Sequence, residues 1–217
     1  MKKLALVFSI FLAVCIVFDV AAQKDPKAKV VLDGMSQKYQ SMKGFTASFD
    51  YTYADEAGAS DRQSGEIAVK GNQYRLKLPD QEIFNDGKTV WTFIETPTYK
   101  EVTINDVSQM EGELTPSNIY KMYETGFNYK LLADKTFQGK QANVVELDPQ
   151  KSNAPFQKVK LMIDKNTKDL LGWEMFDGQG GSFSYAFKNL KPDPNIPDTH
   201  FVFDTKQHAG VEVIDLR

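Results

Sequence analysis

Apolar and polar residues alternate along much of the chain, and this alternation predicts strands. From Phe45 to Tyr53 every second residue is apolar or aromatic, and the residues between them are polar. A period of two places alternate side chains on opposite faces of a strand. Similar patterns predict strands around 67–69, 74–78 and 82–93, and further strands at 99–104, 127–132, 142–147, 157–163, 170–176, 182–188, 200–203 and 211–216. Short turns join them, which indicates an antiparallel meander.

The stretch FNDGKTVWTF, residues 84–93, predicts a hairpin with aromatic residues close to its turn. Asp86-Gly87 suits a two-residue type I′ turn, because Asp tolerates a positive φ and Gly adopts it freely. A turn of this kind pairs Asn85 with Lys88.

That pairing places Glu82 opposite Trp91. It also makes both faces of the hairpin apolar, since one face carries Phe84, Trp91 and Phe93 and the other carries Ile83 and Val90. We therefore expect the hairpin either to pack on both sides or to line a cavity.

The segment 26–43 has helical rather than alternating periodicity. Its apolar residues recur every three or four positions, and Gly44 follows as a typical residue for ending a helix. The sequence therefore predicts an N-terminal amphipathic helix whose apolar side includes Val31, Met35, Tyr39 and Met42.

Two shorter segments between the predicted strands also suggest helices. Thr115-Pro116 has the sequence of a helix start and Gly126 that of a helix end. The residues between them include Ile119, Tyr120, Met122 and Tyr123. Residues 105–113 predict a second short helical piece.

These elements predict a mainly β fold of the α+β class, with a large curved antiparallel sheet. Its aromatic face needs cover, which the N-terminal helix and the short helices can provide. The alternative is a closed, lipocalin-like barrel, although helices inserted between strands argue against closure.

The first 22 residues have the pattern of a signal peptide. Met1-Lys2-Lys3 precedes the apolar stretch 4–18, and Val20-Ala21-Ala22 resembles a cleavage site. We expect export to the periplasm and a single mature domain over 23–217. An uncleaved membrane anchor and lipid attachment at Cys15 are the alternatives, and the apolar stretch is short for a membrane span.

Composition restricts the classes of function. Cys15 is the only cysteine, so a mature chain has neither a thiol nucleophile nor a disulfide. The formal net charge of −3 gives no electrostatic footprint for nucleic acid. The chain lacks the spacings typical of metal or phosphate sites, so we expect no metal and no cofactor.

We expect the protein not to be an enzyme. A hydrolase that uses Glu82, His200 or His208 is the alternative from a different class. A rim position for Glu82 and ordinary, half-exposed positions for the histidines explain these residues more simply. The abundant aromatic residues suit either a plain core or a cavity for an apolar ligand, and composition alone leaves both possible.

The ordered segments FTASFDYTY, SGEIAVKGNQYRLKLP, IFNDGKTVWTF, TPSNIY and DTHFVFDTKQHAGVEVIDL resemble the periplasmic lipoprotein carriers of the LolA type. The resemblance covers essentially the whole mature chain. It implies an open, incomplete β-barrel of about eleven strands under a helical lid, with a hydrophobic cavity for acyl chains. It also implies a monomer that takes acylated lipoproteins from an inner-membrane lipoprotein-releasing transporter and delivers them to an outer-membrane acceptor, without covalent chemistry.

The resemblance and the strand pattern together suggest the residues of the site. The predicted acyl-chain-binding residues are Phe45, Phe49, Tyr51, Tyr74, Leu76, Ile83, Trp91 and Trp173. The predicted lid residues are Met35, Ile119, Tyr120, Met122 and Tyr123.

One departure from the family concerns the lid. Similar proteins have an arginine, in a Lys-Arg-Pro context, that hydrogen-bonds the lid; this chain has Lys70-Gly71-Asn72 there. Arg75 is nearby but is expected on the face opposite Tyr74. The resemblance therefore does not indicate which residues fasten the lid. A periplasmic sensor of lipids or mislocalised lipoproteins on the same fold is the alternative function.

Overall fold

The computed structural model describes residues 24–110 and 114–217, so the predicted signal peptide lies outside the described residues. The elements are helix α1 (Pro26–Ser41) and strands β1 (Phe45–Ala54), β2 (Ser60–Lys70), β3 (Gln73–Lys77), β4 (Gln81–Asn85), β5 (Thr89–Glu95), β6 (Lys100–Asp106), β7 (Phe127–Leu131), β8 (Lys135–Phe137), β9 (Lys140–Pro149), β10 (Lys158–Asp164), β11 (Leu170–Phe176), β12 (Ser182–Pro192) and β13 (Glu212–Asp215). Short 3-10 helices lie at Val107–Met110, Met122–Glu124, Asp198–Phe201 and Thr205–Gln207.

The strands form one large sheet that does not close. Its order is β13-β6-β5-β4-β3-β2-β1-β12-β11-β10-β9-β7, and β8 pairs with β9 beside this path. All pairs are antiparallel except β13 with β6. The predicted unclosed antiparallel sheet is confirmed, and the closed barrel is wrong. The described residues form thirteen strands instead of about eleven.

Helix α1 begins at Pro26, and the Asp25 side chain caps it by accepting a hydrogen bond from the Lys27 N–H at 2.8 Å. The buried side of the helix packs on β7 and β9. This side consists of Ala28, Leu32, Met35, Ser36 and Tyr39. The predicted helix is confirmed, although Val31 and Met42 are only partly buried.

The helix ends differently from the prediction. Lys43, and not Gly44, takes the left-handed conformation, with a φ of 60°. Gly44 is required for space, because a Cβ atom there would lie 2.5 Å from the carbonyl oxygen of Asp193.

The two faces of the sheet are covered by different parts of the chain. The inner face packs on α1 and on residues 114–124 and forms the main core. The outer face is covered by the C-terminal segment 193–211. Phe203 packs there on Phe84, Phe93 and Val102, and Phe201 packs with Ala68 and Ile196.

The hairpin of residues 84–93 has both faces packed, but its register differs from the prediction by two residues. Phe84 pairs with Trp91 and Asn85 with Val90. The turn is not type I′: Gly87 has a φ of 92°, and Asp86 Oδ1 accepts the Lys88 and Thr89 N–H groups at 2.8 Å each. A shift of two residues keeps every side chain on its predicted face.

Three other predictions need correction. Residues 200–203 are not a strand, because the 3-10 helix Asp198–Phe201 occupies part of them. Strand β8 was not predicted. The segment 115–126 forms consecutive turns and the 3-10 helix Met122–Glu124 instead of a continuous helix.

Both edges of the sheet are occupied by short pieces of chain. At one edge β13 pairs with β6, and at the other Lys24 forms a bridge with Tyr129 of β7. Asp25 adds two hydrogen bonds of 3.0 Å, to the Tyr129 carbonyl oxygen and from the Leu131 N–H. Within the described parts of the chain, no helix has the length and apolar character needed to cross a membrane.

Candidate binding cavity

An apolar cavity of about 190 Å³ lies between the inner face of the sheet and residues 114–116. Its wall comes from six strands that are neighbours in the sheet, β4, β3, β2, β1, β12 and β11. The lining residues are Phe49, Ile67, Tyr74, Leu76, Ile83, Leu114, Thr115, Pro116, Trp173, Met175, Tyr185 and Phe187.

The strand registers explain why these side chains meet. Ile67 pairs with Leu76 and Leu76 with Ile83, so three successive strands point apolar side chains to the inner face. On the other side of β1, Phe49 pairs with Phe187. Period-two alternation on adjacent strands therefore builds a continuous apolar surface.

Five of the eight predicted binding residues line this cavity. They are Phe49, Tyr74, Leu76, Ile83 and Trp173. Phe45 instead contacts Tyr39, with ring centroids 5.3 Å apart, and Tyr51 packs on Tyr185 at 5.0 Å.

Trp91 lies on the other face of the sheet, against the cluster of Phe84, Phe93 and Phe203. We therefore leave it out of the candidate site. The prediction missed Tyr185 and Phe187 of β12, although the alternation in residues 182–188 contained the signal. Leu114 and Pro116 were missed because they belong to a turn, which has no fixed periodicity.

We call residues 114–124 the lid segment. Ile119, Tyr120 and Tyr123 are buried in the main core, and Met122 packs against it. Tyr120 stacks on Tyr39 of α1, with ring centroids 5.6 Å apart. Met35, the remaining predicted lid residue, belongs to α1 and is fully buried in the same core.

Polar contacts of Tyr123 and Lys121 join the lid segment to the rest of the protein. The Tyr123 hydroxyl donates a hydrogen bond of 2.8 Å to Asp33 Oδ1 on α1. Lys121 Nζ donates one of 3.2 Å to Asn72 Oδ1 in the β2–β3 turn. Burial and the neighbouring Asp33 carboxylate raise the pKa of Tyr123, so its hydroxyl is a stable donor at neutral pH.

The three residues Lys70, Gly71 and Asn72 have separate roles. Lys70 Nζ binds the Ile196 carbonyl oxygen and Asp198 Oδ1, each at 2.8 Å, and so anchors the C-terminal segment on the outer face. Gly71 has a φ of 60° in the turn. Of these three residues, Asn72 is the one with a hydrogen bond to the lid segment.

Trp173 supplies a polar atom in the apolar wall. Its ring stacks on Tyr185 at 4.6 Å and contacts Phe187 at 5.1 Å. Only 5% of the residue is exposed, and among the described residues Nε1 has no hydrogen-bond partner. Burial raises the pKa of the stacked Tyr185 to about 12, as expected in apolar surroundings.

The residues of the hydrolase alternative lie on the outer face. Arg75 Nε is 2.7 Å from Glu82 Oε1, and Arg75 Nη1 is 3.4 Å from His200 Nδ1. Burial and the Arg75 charge lower the pKa of His200. His208 packs between Phe93 and Phe203, with both ring centroids at 4.5 Å. These contacts join the C-terminal segment, which carries both histidines, to the outer face of the sheet.

Comparison with known proteins identifies a family. The profile of the family described as outer membrane lipoprotein carrier protein LolA matches residues 40–204, which include every strand from β1 to β12. An uncharacterized protein from Methanocaldococcus jannaschii is 28% identical over 200 residues, or 91% of this chain. The chain spans 57% of that relative's length.

Solved structures include proteins of similar fold. An uncharacterized conserved protein from Thermus thermophilus has a TM-score of 0.57 at 12% identity, over 86% of this chain and 99% of that chain. A LolA superfamily protein from Nitrosomonas europaea has a TM-score of 0.47 at 15% identity, over 82% of this chain and 98% of that chain. Because the family profile matches most of the chain, the protein belongs to the LolA family of outer membrane lipoprotein carrier proteins.

Proposed function

We propose that the protein is a periplasmic carrier that shelters the acyl chains of lipoproteins and shuttles them from the inner to the outer membrane. Proteins of its family are carriers or binders and not enzymes. The observation that supports this function best is the apolar cavity between six strands and the lid segment. The acyl-binding residues are Phe49, Tyr74, Leu76, Ile83 and Trp173, together with Tyr185 and Phe187.

The hydrophobic effect explains the need for shelter. Each methylene group of an acyl chain gains about 0.8 kcal/mol on leaving water, so a lipid anchor does not cross an aqueous space unprotected. The cavity wall offers aromatic and aliphatic side chains to such a chain. Carriage of this kind breaks no covalent bond and requires no cofactor.

Loading requires movement of the lid segment. The cavity measures about 190 Å³, and pockets for small molecules usually measure about 300–1,000 Å³. We therefore interpret this arrangement of the lid segment as a closed state. Outward movement of the lid segment would break the polar contacts Tyr123–Asp33 and Lys121–Asn72 and enlarge the cavity.

The proposed partners follow from this cycle. An inner-membrane lipoprotein-releasing transporter supplies the acylated protein, and an outer-membrane acceptor, where one exists, receives it. The carrier acts as a monomer, because one cavity in one chain is sufficient for the anchor.

Native mass spectrometry of the purified protein tests the proposal. The protein is incubated with a triacylated lipopeptide and, separately, with the same peptide without acyl chains. We expect uptake of one acylated molecule per chain and no uptake of the bare peptide. Leu76→Glu in the cavity wall and Ile119→Glu in the lid segment should weaken uptake, because they put a charge against the acyl chain.

Val30→Glu is the matched control, since Val30 is 72% exposed on α1 and remote from the cavity wall. A folded protein that takes up no acylated peptide would refute the carrier. If the protein binds the lipopeptide but never releases it to acceptor vesicles with a purified acceptor, the sensor is the better explanation.

A further inference from the structure

We infer that Trp173 recognises the ester carbonyl group of a bound acyl chain, so that the cavity selects acyl over alkyl chains. The inference rests on the proposed function, because it concerns the same cavity. It adds a polar requirement to a site that otherwise offers apolar contact. Trp173 is thus a specificity-determining residue.

The first argument is the state of the indole N–H group. Among residues 24–110 and 114–217, Trp173 Nε1 is the buried side-chain nitrogen or oxygen atom without a hydrogen-bond partner. Buried polar groups in proteins are nearly always paired, and an unpaired one calls for an explanation such as an absent ligand. The residue is 5% exposed and its side chain forms part of the cavity wall, so the unpaired N–H group belongs to a side chain that borders the space a ligand would fill.

The second argument is that the ring is held firmly. Trp173 pairs with Tyr185 across β11 and β12 and stacks on it, and Phe187 contacts it from the next inward position. A ring fixed in this way cannot turn its N–H group toward solvent without disrupting the core. A donor whose position is set in advance loses little conformational freedom when an acceptor arrives.

The third argument concerns the acceptor. A buried water molecule needs two to four polar partners, and the wall around Trp173 is largely aromatic and aliphatic. A ligand that brings one acceptor on an apolar chain meets the requirement better. The carbonyl oxygen of an ester-linked acyl chain has this chemistry, whereas an ether-linked alkyl chain of equal length lacks that oxygen.

The test compares two synthetic lipopeptides that differ only in this group. One carries two palmitoyl chains as glyceryl esters, and the other carries two hexadecyl chains as ethers. Dissociation constants are measured by titration calorimetry for the wild-type protein, Trp173→Phe and Trp91→Phe. Trp91→Phe is the matched control, because its indole lies on the outer face.

We expect the wild-type protein to bind the ester about 3- to 10-fold more tightly than the ether, as one hydrogen bond predicts. Trp173→Phe should abolish this ratio, and Trp91→Phe should preserve it. A ratio near one in the wild-type protein, or equal weakening of both ligands by Trp173→Phe, would overturn the inference while leaving the carrier intact. Failure of both ligands to bind would instead refute the proposed function and the inference with it.

A measurement on the wild-type protein avoids dependence on the folding of Trp173→Phe. The two tryptophans give two indole N–H signals in a nitrogen–proton NMR spectrum, and Trp91→Phe assigns them. The ester should move the Trp173 signal downfield, and the ether should not. Equal shifts with both ligands would contradict a hydrogen bond to the ester carbonyl group.

Discussion

The Tyr123 hydroxyl donates a hydrogen bond of 2.8 Å to Asp33 Oδ1 and thereby joins the lid segment to helix α1. Asp33 also forms an ion pair of 2.7 Å with Lys29. Burial opposes ionisation of Asp33, but these two partners outweigh it and lower the pKa of its carboxyl group. The acceptor therefore remains ionised at neutral pH, which strengthens the hydrogen bond that joins the lid segment to α1.

Removing this hydroxyl should open the lid segment more often. Tyr123→Phe keeps the buried ring and removes one hydrogen bond to a charged acceptor, so we expect the free energy of local opening to fall by about 1–2 kcal/mol. Hydrogen exchange of the amides in residues 115–124 measures this directly. Asn72→Ala should have a much smaller effect, because the Lys121–Asn72 contact is exposed.

Tyr99→Phe is the control for the loss of a hydroxyl group, since Tyr99 is 51% exposed between β5 and β6. If the amides of residues 115–124 exchange at the same rate in Tyr123→Phe as in Tyr99→Phe, the contact with Asp33 does not hold the lid segment.

Replacement of glycine by alanine should change the stability of the protein in opposite directions at two positions. A Cβ atom at Gly65 would lie 2.5 Å from the Lys77 carbonyl oxygen and 2.6 Å from the Phe49 ring, so Gly65→Ala should destabilise the protein by about 1–3 kcal/mol. At Gly34 in α1 the nearest atom is a Lys168 side-chain carbon at 3.7 Å. Gly34→Ala should therefore stabilise the protein by about 0.5–1 kcal/mol. Urea unfolding of both variants measures these changes in the free energy of unfolding. A loss of stability in Gly34→Ala would contradict the prediction for that position.

The carboxylate of Asp50 should make the stability depend on pH. It is bound by Lys188 at 2.5 Å, by Arg62 and by Ser64 at 2.9 Å, and these hydrogen bonds hold its pKa far below the usual 3.8. The folded protein then binds fewer protons than the unfolded chain, so the stabilisation is present above pH 3.8 and is lost as the pH falls through the folded pKa.

Asp50→Asn should therefore lower the free energy of unfolding at neutral pH by about 1–3 kcal/mol. The difference from the wild-type protein should shrink in acid. Urea unfolding at several pH values measures it, and Asp61→Asn, an exposed position on β2, is the control. A difference that stays constant with pH would exclude the ionic contribution.

The outer-face packing should matter for stability and not for ligand binding. Phe203 is 5% exposed and contacts Phe84, Phe93 and His208, so Phe203→Ala should cost about 3–5 kcal/mol. The folded fraction of the variant should still bind lipopeptide with the wild-type dissociation constant. Weaker binding by folded protein would mean that the C-terminal segment also supports the cavity.

The sequence pattern predicted the sheet face of a side chain better than it predicted the residue opposite it on the next strand. Alternation placed Phe84, Trp91 and Phe93 on one face of the hairpin and Ile83 on the other, as the structure has them, because side-chain direction follows from local backbone geometry. It did not indicate which face lines the cavity. The register of the hairpin was wrong by two residues, since Asp86 builds a longer turn with its own side chain. A shift of two residues leaves each side chain on the same face of the sheet but changes the residue that lies opposite it.

The local sequence pattern could not predict packing between residues that are far apart in the chain. Trp91 was expected in the cavity because nothing local reveals that Phe203, more than a hundred residues later, covers its face. The lid segment has helical composition but forms turns, since it must follow the surface of the core. The missing partner of Trp173 Nε1 depends on every surrounding atom and has no sequence signature.

The short pieces at the two sheet edges have a consequence for the proposed carriage of lipoproteins. An unprotected edge strand offers free N–H and C=O groups to any extended chain and promotes aggregation. Here Asp25 occupies hydrogen-bonding groups of Tyr129 and Leu131, and β13 is four residues long with Glu212 and Asp215 at its ends. If the protein carries lipoproteins as proposed, edges blunted in this way would discourage the polypeptide part of the cargo from joining the sheet as an additional strand, so that the lipid anchor is held without trapping the protein attached to it.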